Sequence, residues 1–361
     1  MRVLFDCRYV KDGARDGISR FSIELAKALA ERVDVTMLVR DERQLEHLPQ
    51  LPHVVGPSEV GVLEPLTGWR LRSVPADVLF SPMQTIGTIG RAWPVVTTVH
   101  DLIYYRHPEP PRDLPGFVRL LWRIYHKAMW PQRMLLRGAD AVVTISDATR
   151  RLMTEHRLDV RPIHVVPNAS APLGAPVTVQ EPAGRRLVYM GSFMPYKNVE
   201  TLVRAMRELP DYELHLAARI SDDDRRRLQD AAPVARIVFH NGISDDDYAE
   251  LLRQSTALVT ASRDEGFGIP LLESMALGVP VVVSDIGIFH EVAGEAGLYA
   301  DPDAPEEFAA RVRELERPEV WAERSKAAAA QAERFSWERS AAELHGFLRE
   351  VATRSARRRA R

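Results

Sequence analysis

Two glutamates, Glu265 and Glu273, stand eight positions apart in the stretch EGFGIPLLESMALGVPVVVSD, residues 265–285. Carboxylates are strong acceptors for the hydroxyls of a sugar or ribose, and the residues around this pair give it a defined setting. TALVTAS, residues 256–262, reads as a strand just upstream. Pro270 suits the first turn of a helix, where its missing N–H costs nothing, and Gly278 followed by Pro280 ends one. The spacing therefore predicts a helix over 270–277, with residues 265–268 as the loop that leads into it. Gly266 and Gly268 permit close backbone approach, and the N–H groups at the helix start favour an anion such as a phosphate. Glu265 on the loop and Glu273 one turn into the helix can then reach different parts of one elongated ligand. Two glutamates alone would read as a helix-dipole partner and a solvated loop charge; the glycines, the proline and the strand context together favour a binding site.

The elements that must hold this loop are legible along the whole chain. RVLF, VDVTMLV, ADVLFS, PVVTTVH and DAVVTIS come first, then RLVYMGS, YELHLAA, ARIVFH, TALVTAS and PVVVSD, each separated from the next by a longer, helix-length segment. Near-continuous β-branched runs of this length imply parallel strands buried on both faces, so the class is α/β, twice over. A length of 361 residues suits two domains. Residues 165–184, VVPNASAPLGAPVTVQEPAG, lack periodicity and suit a linker. This predicts domains over 1–169 and 170–335. Near the end, Trp337, Ala341, Leu344, Phe347, Leu348 and Val351 recur at helical spacing, which predicts a final amphipathic helix over about 336–361 with a solvated basic end, RSARRRAR. Ligands of open α/β sheets sit beyond the carboxyl ends of the strands; two such sheets facing each other would make an interdomain cleft.

Composition excludes several classes. A formal net charge of -2 gives no general reason to bind nucleic acid or an anionic surface. The single cysteine, Cys7, rules out an intramolecular disulfide, and MRVLFDCRYV runs straight into a strand pattern, so a reducing, cytoplasmic location is expected. No apolar run nears the ~20 residues of a spanning helix, which leaves only peripheral membrane contact. SDDD and SDDDY read as helix N-caps with acidic first turns, not as a metal site, and no G-x-G-x-x-G fingerprint points to a nicotinamide dehydrogenase.

The Glu265–Glu273 stretch resembles the E-x7-E signature of glycosyltransferase family 4, retaining enzymes of the GT-B fold with two Rossmann-like domains. Other segments match that family in order: DGISRF at 16–21, TVHDLIYYRHPE at 98–109, VVTISDATRRLM at 142–153, VVPNAS at 165–170 and YMGSFMPYKNVETLVRAM at 189–206. The resemblance implies that Glu273 holds the ribose hydroxyls and that Glu265 contacts the transferred sugar, with Phe267 and Gly268 supplying backbone donors beside it and Ile269 also at the donor. It implies that Gly17 and Ser192 lie against the donor, that Lys197 neutralises charge on the departing diphosphate, and that His100 approaches the donor sugar. Asp101 would orient its loop and Arg20 would contact phosphate or acceptor. The base would stack near Asn241, Gly242 and Ile243. Family members often carry an arginine where Tyr196 stands, so one positive charge is missing locally; Arg219 or Arg263 could replace it. The final helix would cross back to complete the first domain, and the hinge near 167–175 would let the domains close.

The reaction implied is transfer on one face of the donor sugar without an enzymatic nucleophile and without a metal ion. The motifs look most like those of bacterial mannosyltransferases using GDP-mannose, with UDP-glucose or UDP-N-acetylglucosamine as alternative donors. A nucleotide-sugar epimerase on the same fold, or a catalytically silent sugar-nucleotide-binding partner, are the competing readings. The acceptor, a mannoside, oligosaccharide or glycolipid, is expected at the first domain. There, residues 116–138 combine Phe117, Leu120, Leu121, Trp122, Tyr125 and Trp130 with Arg119, Arg123, Lys127, Arg133 and Arg137. A basic, aromatic helix can lie on anionic lipid. Because apolar residues occupy so much of the circumference, a helix packed on the first sheet with a solvated basic face is the expectation.

Overall fold

A computed structural model describes residues 1–11, 17–110, 115–170, 173–174 and 184–360. Asp16 of the first glycine-rich loop and most of the linker over 165–184 lie outside the described residues. The chain divides into two units, Met1–Ala169 with Ser336–Arg361, and Ser170–Phe335.

The first unit is built on β1 (Arg2–Asp6), β2 (Asp34–Val39), β3 (His53–Val55), β4 (Val78–Ser81), β5 (Val95–Val99), β6 (Ala141–Thr144) and β7 (Ile163–Val165). All pair in parallel, in the order β3-β2-β1-β4-β5-β6-β7. The second carries β8 (Arg186–Tyr189), β9 (Glu213–Leu216), β10 (Ile237–Phe239), β11 (Ala257–Thr260), β12 (Val281–Ser284) and β13 (Leu298–Ala300). These too are parallel, in the order β10-β9-β8-β11-β12-β13. Each sheet thus runs outward in both directions from its first strand. The point where the direction reverses, β1 beside β4 and β8 beside β11, is where a doubly wound sheet leaves room for a ligand.

In the first unit the helices are α1 (Gly17–Ala30), α2 (Thr67–Arg70), α3 (Ile103–Arg106), α4 (Gly116–His126), α5 (Trp130–Gly138) and α6 (Asp147–Glu155). The second has α7 (Val199–Ala205), α8 (Asp222–Ala231), α9 (Asp245–Arg253), α10 (Ile269–Ala276), α11 (Gly287–Ala293), α12 (Pro305–Glu314) and α13 (Pro318–Ala332). The last helix, α14 (Trp337–Arg359), belongs to the first unit. Ser221 and Ser244 cap α8 and α9 by accepting the N–H of Asp224 and Asp247, each at 3.1 Å, as the SDDD and SDDDY patterns require. At the end of α10 the N–H of Val279 donates to the carbonyl of Ser274 (3.0 Å) and that of Gly278 to Met275 (2.9 Å). This double bond pattern closes the helix where Gly278 stands.

Buried apolar side chains hold each unit. In the second, Leu187, Leu214, Leu216, Val259 and Val282 of the strands meet Val203, Phe308, Leu315 and Trp321 of the helices, and Trp321 donates its indole N–H to the carbonyl of Thr256 at 2.9 Å. In the first, α14 lies on α1. Trp337 stands edge-on to Phe21 at 5.9 Å, and Ser340 donates its hydroxyl to the carbonyl of Pro167 at 2.7 Å.

One expectation is corrected. Residues 116–138 form two helices, and α4 does not turn a basic face outward over buried apolar residues. Its inward face is Trp122 and His126, which meet Tyr104 and Tyr105 of α3 at 5.0 Å between ring centroids in each case. Phe117 (71% exposed), Leu120, Leu121 and Tyr125 face solvent, as do Trp130 and Met134 of α5. The aromatic contacts with α3 decide which side of α4 is covered, and they leave the larger apolar stripe outside. Among the described residues no helix is long and apolar enough to cross a membrane.

Candidate functional site

In the second unit, the loops that follow β8 and β11 emerge side by side, because these strands are hydrogen-bonded neighbours. After β8 the chain turns at Ser192, which is exposed and whose carbonyl accepts the Tyr189 hydroxyl at 2.6 Å. A single 3₁₀ turn, Pro195–Lys197, then enters α7 through Asn198, which sits at φ 51°. Asn198 donates its side-chain amide to the carbonyl of Pro302 at 2.5 Å, which holds this uncommon conformation in place.

After β11 come Ser262, Arg263, Asp264 and Glu265, then Gly266, Phe267 and Gly268 at the start of α10. The N–H of Arg263 donates to the carbonyl of Tyr196 at 2.8 Å, which ties the two loops backbone to backbone. Across this tie the ammonium of Lys197 donates to the Glu265 carboxylate in an ion pair. Both side chains are largely covered, 13% and 16% exposed. The Ser262 hydroxyl approaches the same Glu265 oxygen at 3.5 Å. Beneath them Tyr189 is fully buried; burial first, and the Glu265 charge second, hold its phenol well above the ordinary value and therefore neutral.

Glu265, which the resemblance assigns to the transferred sugar, and Lys197, which it assigns to the adjoining diphosphate, are thus each other's partners. The ammonium also lies 5.3 Å from the centre of the Tyr196 ring. At the position where family members often carry a second cation, this chain offers an aromatic face to the one it has. The guanidinium of Arg263, on the neighbouring loop, pairs with Asp303, with Nε at 3.1 Å. Arg219 lies elsewhere, along Gly242, and makes no ion pair among the described residues. Asn241 and Gly242 form a turn with φ of 54° and 98°, and the Asn241 side chain accepts the N–H of Ile220 at 3.3 Å. Gly242 serves there because a Cβ would come within 2.9 Å of Arg219 Cγ. Ile243 follows, half-buried.

Glu273 is buried, 4% exposed, one turn into α10. Ile269 begins that helix and Gly268 caps it at φ 100°, a conformation only glycine adopts without strain. Phe267, expected beside the donor, turns its ring inward, 3% exposed and edge-on to Phe335 at 5.8 Å. Only its backbone remains to meet a ligand. The site thus offers a carboxylate and an ammonium in the loops, a second carboxylate in the helix, and backbone N–H groups at the helix start.

In the first unit His100 directly follows β5. Its Nε2 lies 2.7 Å from the carbonyl of Pro82, and since a carbonyl only accepts, Nε2 carries the proton in this arrangement. Phe21 stands edge-on to the ring at 5.0 Å. Asp101 accepts the N–H of Ile103 at 3.0 Å and so shapes the start of α3. Gly17 is the exposed first residue of α1, with half-buried Arg20 one turn further on.

A charged cluster that sequence reasoning missed lies at the carboxyl end of β1. Arg8, with no exposed side-chain surface, donates from Nε and Nη2 to the two carboxylate oxygens of Asp6 (2.8 and 2.9 Å) and from Nη1 to Glu64 (2.7 Å). Burial alone would lower the guanidinium, but the Asp6 and Glu64 carboxylates outweigh it and hold Arg8 more basic than usual. Asp6 also accepts the Ser81 hydroxyl (3.0 Å) from the end of β4, and Glu64 accepts the N–H of Gly87 (3.0 Å). From the other side Gln44 donates to the carbonyl of Val10 at 2.6 Å. Residues 8–10, just after β1, are therefore held on both sides. The signal was present locally as Asp-x-Arg directly after an apolar strand.

Comparison with known proteins agrees with this architecture. The family model described as "Glycosyltransferase Family 4" matches residues 15–169, and that described as "Glycosyl transferases group 1" matches residues 179–334. The O-antigen chain mannosyltransferase B of Escherichia coli is 27% identical over 384 residues, spanning 94% of this chain and 97% of that protein. The O-antigen chain mannosyltransferase RfbU of Salmonella typhimurium is 24% identical, spanning 83% and 87%. The solved structure of sucrose-phosphate synthase from Thermosynechococcus elongatus superimposes with a TM-score of 0.74 at 20% identity, covering 97% of this chain and 98% of that one. Two doubly wound parallel sheets and two family models matched in succession lead to one conclusion: the chain is a glycosyltransferase of the GT-B fold and belongs to glycosyltransferase family 4.

Proposed function

We propose that the protein is a cytoplasmic retaining α-mannosyltransferase that takes mannose from GDP-mannose and passes it to a hydroxyl of a mannoside, oligosaccharide or glycolipid. The observation that carries this reading is the Lys197–Glu265 pair at the switch point of the second sheet, with Glu273 buried a turn away. The mannosyl part is supported by the names of the Escherichia coli and Salmonella relatives.

In this reading the second unit binds the donor. Glu273 accepts hydrogen bonds from the ribose hydroxyls and Glu265 from the transferred sugar, while the N–H groups at the start of α10 and the Lys197 ammonium face the diphosphate. As the bond from the sugar's anomeric carbon to the diphosphate breaks, negative charge grows on the leaving oxygen and Lys197 stabilises it. The acceptor hydroxyl forms the new bond on the same face and gives its proton to the departing phosphate, so neither a nucleophile nor a metal ion is required of the protein. To the first unit the reading assigns the acceptor, with His100 at the strand end.

The test is thermal unfolding with GDP, UDP and ADP in parallel. A ligand at a hundred times its dissociation constant adds about 2.7 kcal/mol to the folded state. A rise in midpoint with GDP alone supports the mannosyl donor. A rise with UDP alone keeps the transferase and replaces the sugar by a UDP-linked one, and no rise with any nucleotide overturns the reading.

A further inference from the structure

We propose that Tyr189 is a positioning residue for the donor: its phenol draws the Ser192 carbonyl into the fold and so sets the loop 190–193 at the level from which it meets the diphosphate. This rests on the proposed reading of the second unit as the donor-binding one.

Three observations carry it. The first is the place. Tyr189 ends β8, the strand that stands beside β11 where the second sheet reverses direction, so the loop after it is one wall of the space left for a ligand. The backbone of the same residue leads to the neighbouring loops: its carbonyl accepts the N–H of Ala217 (3.0 Å), and the carbonyl of Ala217 accepts the N–H of Gly242 (3.2 Å).

The second is the direction of the bond. Tyr189 is 1% exposed and Ser192 is exposed, yet the phenol donates to the Ser192 carbonyl at 2.6 Å. The oxygen of an exposed residue is thereby turned inward. A carbonyl presents the negative end of its dipole, which repels a diphosphate; bonded to the phenol, this one is held away. Burial and the Glu265 charge keep the phenol protonated, and only the protonated form can donate. Among the described residues the other side-chain bond to the backbone of this loop, from Arg227 to the carbonyl of Phe193, is longer at 3.5 Å.

The third is the glycine beside it. Gly191 is not in the left-handed region, so its backbone does not call for glycine. The phenol does. A Cβ at this position would lie 2.8 Å from Oη of Tyr189 and 3.2 Å from Cζ, and a ring packed on all sides cannot withdraw. Tyr189 and Gly191 therefore act together: the hydroxyl pulls the loop down, and the missing side chain lets it come.

The bond adds little to stability, because water can satisfy the carbonyl of an exposed residue. What it fixes is the position of the loop, and this separates the proposal from a purely structural role.

The test is titration of the full chain with GDP and with UDP, beside thermal unfolding without ligand, for the wild type, Tyr189→Phe, Gly191→Ala and the double variant. Tyr189→Phe keeps the ring, so its unliganded midpoint should match that of the wild type while its nucleotide affinity falls about tenfold, the size of one lost hydrogen bond. Gly191→Ala forces the same bond apart from the other side and should lose affinity to a similar extent. The double variant should bind no more weakly than either single one, since both changes break one contact. Additive losses, an unchanged affinity in Tyr189→Phe, or a fall in its unliganded midpoint large enough to account for the weaker binding would overturn the proposal. If the wild type binds UDP in place of GDP, the mannosyl donor falls and Tyr189 is judged on UDP with the same four proteins. If it binds neither, the donor-binding reading falls and the proposal with it.

Discussion

The ammonium of Lys197 and the carboxylate of Glu265, sixty-eight residues apart in the chain, close on each other across the adjacent loops of β8 and β11. On the proposed reading, an arriving diphosphate would compete with Glu265 for that ammonium and divide the pair. Lys197→Ala and Glu265→Gln are each expected to lower donor turnover by roughly a hundredfold or more while leaving the fold intact. The two losses should not add, since the residues share one interaction. Steady-state turnover of the two single variants and the double variant measures this; strict additivity would contradict a shared role.

Arg8 answers two carboxylates at once, the fully buried Asp6 and the partly buried Glu64. Removing only the cation strands them. Arg8→Met is expected to destabilise the protein by about 3–5 kcal/mol in urea unfolding. Asp6→Asn, which keeps the shape and removes one charge, should cost less. A change within ±0.5 kcal/mol for Arg8→Met would show that the cluster does not support the fold.

His215 and His240 meet ring to ring, with Nδ1 of His215 3.0 Å from Nε2 of His240, and Glu213 lies 3.5 Å from the other nitrogen of His215. Burial first, then the His240 charge, and further on Arg186, hold His215 below 6.5, despite the opposing pull of Glu213; burial also lowers His240. Folding therefore favours the neutral rings. As pH falls through about 6.5 the unfolded chain binds protons that the folded one refuses, so this stability is complete above that value and is lost below it. Thermal midpoints should fall from pH 6.5 toward pH 5. His126 and His345 shift in the same direction, so the readout is the difference between wild type and His215→Gln, whose decline should be shallower.

Gly268→Ala combines two costs. The backbone stands at φ 100°, and the new Cβ would lie 3.1 Å from the ring of Phe289. A loss of about 1–3 kcal/mol in unfolding free energy is expected. Because the strain falls at the start of α10, the midpoint shift produced by nucleotide should shrink as well. An unchanged nucleotide shift would separate this turn from ligand binding.

Much of this was legible in the sequence, for identifiable reasons. Ten strands announce themselves as apolar runs because both faces of a parallel sheet are covered. β3, β7 and β13 do not: each has three residues at a sheet edge, and in β3 and β7 none is buried. The setting of Glu265 and Glu273 was readable from glycine and proline, whose effects are local. The pairing of Lys197 with Glu265 was not, since it depends on β8 and β11 being neighbours, a property of strand order. Glu64 escaped notice because it approaches Arg8 from a segment without periodicity. The orientation of α4 was misread because apolar residues nearly encircle that helix, so hydrophobic pattern alone cannot say which side is covered; its contacts with Tyr104 and Tyr105 decide.

The first unit is assembled from both ends of the chain: Trp337 of α14 packs on Phe21 of α1, and Ser340 bonds to Pro167. A ribosome making this protein finishes all of β1 to β7 and then reads through Ser170–Phe335 before the last piece of that core exists. At about 5–20 residues per second, the nascent unit waits roughly ten to thirty seconds with the flank of α1 uncovered. A premature stop anywhere in the second unit would therefore leave the first unit damaged too, and a nascent chain halted there would be prone to chaperone capture through the seam around Phe21.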